Sequence, residues 1–297
     1  MEVSELIDAL QERLRPLRGR LFPQVLLLEL FDMRMVGQPL LNGRPQPVCI
    51  DVTLPSLTCR AGVPVEIEPL ADLIGDLLVR DGLIDAFVMA ALPEEAVQWR
   101  VIDWTNRPVE EATAAELRRL APELGLPFSL EDAVVDLRPL PGAPGKQLLA
   151  VTRREVVDGW VEVFHQAGTN LDRLACPQSC RLAALQGPLA PLPASTLTVL
   201  VSVREEGGHL QAIRDGVPLF AWPLPTQPEA QVAEAERCVA FLREEFPGAR
   251  SLRLLVEGPL VEQQLLEAAL GLPAQWIDCA PFGSLVMQGL SIPDLAP

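Results

Sequence analysis

The side chains that most often bind metals or act as nucleophiles are few in this chain of 297 residues. Cys176 and Cys180 are the only close pair among six cysteines, and His165 and His209 are the only histidines. A metal site needs about four ligands, and these residues offer no such spacing. The cysteines instead indicate buried core thiols in a reducing compartment, with metal or redox chemistry at the close pair as the alternative. His165 falls on the polar face of a predicted helix, where we expect it to be solvated, and His209 begins a hairpin, where we expect a structural role.

Paired carboxylates are the other residues that could carry general acid–base chemistry. Three pairs of adjacent glutamates come into question, Glu94-Glu95, Glu110-Glu111 and Glu205-Glu206. Charged side chains are rarely buried unless they are paired, so we interpret all three pairs as solvated surface charges. No Ser–His–Asp order, zinc spacing or phosphate-binding loop motif stands out. The sequence therefore predicts neither catalytic residues nor a metal site.

The stretch from Leu124 to Pro177 predicts a small α+β unit. It has a strand that ends near Leu137, a turn rich in proline and glycine, and a buried strand from Gln147 to Val151. A helix from Glu155 to Gln166 follows, because the apolar spacing changes from a period of two to a period near ~3.6. One face of this helix carries Val156, Trp160, Val163 and Phe164.

Two similar series of elements flank this unit. Each series has an apolar strand, a hairpin and a later strand–helix pair, which indicates a duplicated core joined by a proline-rich connector over residues 187–195. Asp215-Gly216 predicts a type I′ turn in the second hairpin. The other predicted elements are strands Gln24–Leu30, Met33–Gly37, Val48–Leu54, Ala86–Leu92, Val97–Trp104, Leu197–Val203, His209–Arg214, Val217–Trp222 and Leu252–Val256, and helices Pro69–Arg80, Glu229–Phe246 and Val261–Leu270.

Charge and hydropathy exclude several classes of partner. The chain has 24 basic and 40 acidic residues, a net charge of −16, so nucleic acids and anionic lipid surfaces would be repelled and a basic segment attracted. There is no apolar run of ~18 residues, so we predict no membrane span. Residues 1–20 predict an amphipathic helix with leucines at 6, 10, 14 and 17. We expect it to be a docked or frayed terminal helix, or else a helix for a membrane surface or a partner.

Several short segments carry a resemblance to a known family through their order and spacing from about Val88 to Leu185. They are Ala91-Leu92-Pro93, Arg100-Val101-Ile102, Leu126-Pro127-Phe128, Leu130-Glu131-Asp132 with Asp136, Leu149-Ala150-Val151 with Arg153, and Val156 onward to Ala167-Gly168. Taken together, they resemble the PilM family, the actin-like cytoplasmic component of type IV pilus assembly.

The resemblance implies an α/β fold of the actin-like type, in which a ribonuclease-H-like unit occurs twice and a small α+β subdomain is inserted. We expect four parts: residues 1–20 as the terminal helix, 21–96 with 171–190 as the first actin-like subdomain, 97–170 as the inserted subdomain, and 191–297 as the second actin-like subdomain.

Actin-like proteins hold ATP with glycine-rich turns whose backbone N–H groups converge on the phosphates. In this chain all four corresponding turns depart from that pattern. Leu28 to Met33 has no glycine or serine, Val203 to Gly208 brings two carboxylates, Pro223-Leu224-Pro225 replaces paired glycines, and Glu257-Gly258-Pro259 keeps a single glycine. We therefore predict a pseudo-ATPase without a cofactor, with ATP and Mg²⁺ binding through altered loops as the alternative.

The resemblance also implies a partner, namely the cytoplasmic tail of a PilN-like inner-membrane protein held in a groove beside the inserted subdomain. We place Arg100, Trp104, Pro127 and Phe128 near that groove. Trp99 and Trp104 are an odd number of residues apart, so one should be in the core and the other on the opposite face. The implied location is cytoplasmic, peripheral to the inner membrane through the partner. Contacts with other pilus inner-membrane components and homo-oligomerisation remain open.

Two alternatives stay open at this point. One is the pseudo-actin domain of the type II secretion L component, which normally continues into a membrane helix that this chain, ending at Pro297, does not show. The other is an active actin-like ATPase or small-molecule kinase.

Overall fold

In the computed structural model, the residues described below are 24–104, 117, 124–140, 143–169, 171–189, 196–204, 207–247, 251–258 and 260–292. Four predictions therefore lie outside the described residues. They are the helix over residues 1–20, the pairs Glu110-Glu111 and Glu205-Glu206, and the connector beyond residue 189.

The first sheet forms around an apolar strand, β1 (Gln24–Leu30). This strand has five consecutive buried residues, so it can only lie inside a sheet that is covered on both faces. It pairs antiparallel with β2 (Arg34–Leu41) and parallel with β7 (Phe87–Ala91), and β11 (Leu171–Ala175) extends the sheet beyond β7. The bounds in this half are β1 Gln24–Leu30, β2 Arg34–Leu41, β3 Arg44–Pro45, β4 Ile50–Thr53, β5 Cys59–Arg60, β6 Val63–Pro64, α1 Ile67–Arg80, β7 Phe87–Ala91 and β11 Leu171–Ala175.

A three-stranded sheet is inserted in the chain between β7 and β11. Its strands are β8 Val97–Asp103, β9 Ala133–Pro139 and β10 Lys146–Arg153, in the order β8-β10-β9, and helix α2 Arg154–Gln166 follows. Trp104 packs with Phe128 on one face of this sheet, whereas Trp99 packs on the other. The apolar face of α2 is buried in the core of the first sheet, where Trp160 Nε1 donates to Gly62 O at 3.0 Å.

The second half repeats the topology of the first. Its strand order β14-β13-β12-β15-β16 matches β3-β2-β1-β7-β11, with two antiparallel pairings followed by two parallel pairings in each. The predicted duplication is therefore confirmed, as is the type I′ turn, because Asp215 and Gly216 have φ of 53° and 76°. The bounds are α3 Pro177–Leu189, β12 Thr196–Arg204, β13 Gly207–Arg214, β14 Val217–Leu224, α4 Pro228–Glu245, β15 Ser251–Glu257, α5 Leu260–Leu270, β16 Ala274–Trp276 and α6 Leu285–Leu290.

Helices α3 and α6 pack against each other, and α6 also contacts β1 and β7. The end of the chain therefore returns to the first half. A Cβ atom on Gly289 would lie 1.9 Å from the carbonyl oxygen of Cys180, so the close approach of these helices requires glycine at this position.

The thiols are buried at five of the six cysteines, and the prediction is wrong for Cys49, which is exposed just before the short strand β4. No helix among the described residues is both long enough and apolar enough to cross a membrane.

Candidate functional site

The carboxyl ends of the parallel strands in both sheets open onto a cleft between the two halves, the place where ligands bind in open α/β sheets. Two cavities lie there, of about 750 Å³ and about 710 Å³. The larger one, here called the edge-strand cavity, lies beside the edge strands β8 and β14. The smaller one, the C-terminal cavity, lies between β2, the end of β15 and the segment before α6. Glu29, Phe31 and Arg204 belong to the walls of both cavities.

A buried ion group joins the two halves at this shared wall. Arg204, the last residue of β12, lies 2.7 Å from Glu29 Oε1 of β1 and 3.3 Å from Glu257 Oε1 of β15. Its guanidinium also lies 5.6 Å from the ring centre of Phe31. Burial opposes the charge on Arg204, but the two carboxylates raise its pKa above the usual value.

The two carboxylates have further hydrogen-bond donors. Ser202 Oγ donates to Glu257 Oε2 at 2.6 Å, and Ser284 Oγ donates to Glu29 Oε2 at 2.7 Å. The backbone N–H of Leu285 donates to Glu257 Oε1 at 2.8 Å. Burial alone would raise the pKa of Glu257, but Arg204 and then Arg181 lower it. Glu257 is thus held ionised inside the protein, and both acids have hydrogen-bond partners from distant parts of the chain.

A second ion group lies on the floor of the edge-strand cavity. Glu94 accepts from Arg181 of α3 and lies 3.1 Å from His209 Nδ1 of β13. Burial alone would raise the pKa of Glu94, but Arg181 and His209 hold it at about 2. Burial and then Arg181 lower the pKa of His209 to about 4, so the imidazole is neutral at pH 7. Glu94 is therefore paired rather than free, although its side chain is 39% exposed, whereas Glu95 and His165 are exposed as predicted.

The rim of the same cavity carries two more carboxylates. Asp32 accepts from the backbone N–H groups of Ala61 and Gly62, each at 2.7 Å. Burial is the largest cause that raises the pKa of Glu95, and the negative charges of Asp32 and Glu94 add to it. This part of the cavity is therefore strongly negative.

The turns predicted to correspond to a phosphate cradle do reach this cleft. Glu29, Phe31 and Asp32 come from the first turn, and Glu257 with Gly258 from the last. Two glycines that remain in these turns, Gly208 and Gly258, are required by close contacts with the backbone of a neighbouring strand. A Cβ on Gly208 would lie 2.2 Å from Ser202 O, and one on Gly258 would lie 2.8 Å from Val203 O. These two positions thus allow strands to approach each other, which by itself requires no phosphate.

No group of three or more candidate metal ligands occurs within the described ranges. The cleft therefore offers carboxylates that already have partners, two arginines that are already paired, and a neutral histidine. Such an arrangement holds two domains together and can accept a cationic group, but it provides few free donors for an anion.

The four residues predicted to bind a partner lie on the inserted sheet, away from both cavities. Arg100 is exposed and its Nη1 donates to Trp99 O at 2.7 Å, and Pro127 is also exposed. Phe128 is half-buried beneath the Arg153 guanidinium, 5.8 Å from its ring centre. Trp104 is only 2% exposed and packs in the same cluster as Phe128. Its ring can support this surface from below without being exposed itself, and the placement of all four residues near the partner's groove stays a prediction.

Sequence reasoning missed three residues of the edge-strand cavity, Trp99, Arg181 and Trp222. The odd spacing of Trp99 and Trp104 indicated that one ring is in the core but not which one. Arg181 is 1% exposed inside a helix whose neighbours are small or apolar, and no sequence pattern marked it.

Comparisons with known proteins bear on the fold. No protein-family model matches this sequence, and no curated protein matches it. Among solved structures, the chain is similar to one described as the PilM-PilN type IV pilus biogenesis complex, with a TM-score of 0.69 and 20% identity over 92% of this chain and 99% of that chain. It is also similar to a protein of unknown function with an actin-like ATPase fold from Bacteroides thetaiotaomicron, with a TM-score of 0.54 and 12% identity over 90% and 95% of the two chains. The predicted actin-like fold is confirmed, and the predicted resemblance to PilM holds at the level of the fold.

Proposed function

We propose that this chain is a scaffold of type IV pilus assembly that binds the cytoplasmic tail of a PilN-like inner-membrane protein and does not hydrolyse ATP. The observation that carries the proposal is the Arg204–Glu29–Glu257 group, which occupies the shared wall of the two cavities in the cleft. A chain similar to a protein of unknown function with an actin-like ATPase fold thus has an internal ion pair where its two halves meet.

The charges at this point disfavour a nucleotide triphosphate. Phosphates in the cleft would face Glu29, Asp32 and Glu257, and repulsion between like charges is strong where water is excluded. Arg204 could bind a phosphate only by leaving two buried carboxylates, which costs several kcal/mol for a broken buried pair. These contacts favour a pseudo-ATPase that has no catalytic residue and no cofactor.

Two features favour a protein tail as the ligand. The net charge of −16 attracts a basic segment and raises the rate of encounter with it. Among the described strands, β8 pairs with β10 alone, so its outer edge can accept an extended peptide. The structural neighbour solved as a PilM-PilN complex supports a tail of the PilN type as the partner. The proposal includes a cytoplasmic location at the inner membrane through this partner, where other pilus components would also bind.

Two titrations test the proposal. Isothermal titration with Mg-ATP should show no binding near physiological ATP concentrations, and the tail peptide of the PilN-like protein from the same genome should bind at low salt. A peptide with the same composition in scrambled order is the control for nonspecific charge attraction. Measurable ATP affinity would favour the actin-like ATPase instead, and a tail peptide that does not bind would refute the scaffold. Neighbouring genes for pilus assembly rather than type II secretion would distinguish those two systems.

A further inference from the structure

The edge-strand cavity contains an acidic pair that lacks a cation. Asp32 and Glu95 both lie at its rim, and Glu94 lines the same cavity. Within the part of the chain that the structure describes, neither Asp32 nor Glu95 has a basic side chain within ion-pair distance. Neighbouring carboxylates without a cation repel each other, and a guanidinium bound against them would relieve this repulsion with charge-assisted hydrogen bonds.

A second, independent observation concerns the floor of the same cavity. Gln178, Arg181 and His209 all line it and are 3%, 1% and 6% exposed. Each has a buried nitrogen without a hydrogen-bond partner: Gln178 Nε2, Arg181 Nε and His209 Nε2. Buried polar atoms without partners are rare in folded proteins, and three in one cavity indicate a site whose polar ligand is absent.

The walls fit an extended chain with a planar cation. The edge strands β8 and β14 contribute residues 97–99 and 221–224, and both Trp99 and the 41% exposed Trp222 lie among these. Indole rings bind guanidinium groups through their faces. Unpaired backbone groups on an edge strand bind a peptide main chain, and the N–H groups of Gln178 Nε2 and Arg181 Nε on the floor suit its carbonyl oxygens.

We infer that the edge-strand cavity is a binding site for an extended peptide segment, which places an arginine side chain against Asp32 and Glu95. The occupant is a basic partner segment rather than a nucleotide, because the rim is acidic and both cavity arginines are already paired. This inference adds to the proposed function, because it names an arginine as the part of the tail that is recognised. It rests on the proposed function only for the identity of the partner.

The test measures fluorescence anisotropy of a labelled peptide of seven residues, the length of β8, added to the full chain at low salt. One peptide carries two arginines, and its control carries citrulline, which has nearly the same shape but no charge. The arginine peptide should bind about tenfold more tightly than the citrulline peptide. Equal binding of the two peptides would overturn the inference.

Matched variants locate the site. Glu95→Gln should weaken arginine-peptide binding about fivefold, whereas Glu155→Gln, an exposed glutamate on α2, should leave it unchanged. Trp222→Ala should weaken binding by a similar factor, and Trp276→Ala should not, although Trp276 is 46% exposed in the other cavity. Equal effects within either pair of variants would refute the assignment.

The natural tail separates this inference from the proposed function. If the PilN-like tail binds wild type and Glu95→Gln equally, the scaffold stands and the cavity assignment fails. If the arginine peptide binds in a Glu95-dependent way and the tail does not bind, the cavity assignment stands and the proposed partner is wrong.

Discussion

Replacing Arg204 with methionine tests the ion group that joins the two halves. Methionine keeps most of the side-chain volume and removes the charge, so two carboxylates lose their cation. The side chains of Glu29 and Glu257 are 5% and 6% exposed, so water cannot replace the guanidinium. Breaking a buried ion pair by removing one partner costs about 3–5 kcal/mol.

The lower end of that range is expected here. The Arg204 side chain is itself 18% exposed, and Ser202, Ser284 and Leu285 still donate hydrogen bonds to the two acids. We therefore expect Arg204→Met to lower the free energy of unfolding by about 3 kcal/mol, which shifts the midpoint in urea by roughly 1 M for a chain of this size.

The assay is urea unfolding followed by circular dichroism and tryptophan fluorescence. Arg80→Met is the control, because Arg80 forms an ion pair with Asp81 at the surface and its loss should leave the midpoint in place. Adding Glu29→Gln and Glu257→Gln to Arg204→Met should recover part of the loss, since the buried negative charges are then gone. An Arg204→Met protein that unfolds at the wild-type urea concentration would show that the group contributes nothing to holding the halves together.

Three further predictions follow from the structure. In an NMR pH titration, the signal of His209 should change near pH 4. The stability gained from neutral His209 should be lost as the pH falls from about 6.5 to 4, because the unfolded chain binds the proton first, and a His209 signal that changes near pH 6.5 would contradict this prediction. Gly289→Ala should lower the melting temperature strongly, because its Cβ would lie 1.9 Å from the backbone of α3, whereas Gly187→Ala, with nothing within 4 Å, should be neutral or slightly stabilising. A thiol reagent should label Cys49 first in the folded protein and all six cysteines only after unfolding, and rapid labelling of Cys49→Ser would contradict the burial of the others.

Local patterns were sufficient to predict most elements. The apolar runs of β1 and β12 and the change of period before α2 predict the observed strands and helix, because burial of a whole strand or of one helix face leaves a direct trace in the sequence. Asp215-Gly216 predicted the turn of the second hairpin, because few other residue pairs adopt two positive φ angles.

The residues of the cleft could not be predicted in the same way, because their contacts join distant parts of the chain. Ser284 is 255 residues from Glu29, whose carboxylate it contacts, and Glu94 is 87 residues from Arg181. Acidic side chains are expected to be solvated at the surface only when they are unpaired. The pairing of Glu94 was missed because its partner, Arg181, lies in α3, where no polar pattern marks it.

The sequence left open which of Trp99 and Trp104 lies in the core, for a related reason. Alternation along β8 puts the two rings on opposite faces, but the sequence does not reveal which face of the inserted sheet turns towards the second half. That is decided by how the three sheets pack, and the structure puts Trp99 towards the cleft and Trp104 in the core of the inserted sheet.

The duplicated fold explains why one arginine can serve both halves. Glu29 is the last β1 residue paired with β7, and Glu257 is paired with Ser202 at the end of the parallel pair β12–β15. Each half thus contributes one carboxylate from the corresponding end of its parallel strands, the end that faces a ligand in related topologies. Arg204 lies two residues beyond Ser202 and contacts both acids. The charges that join the two halves thus belong to the chain itself. We therefore expect the cleft to stay closed without a nucleotide and its acidic edge to remain available to the proposed basic peptide.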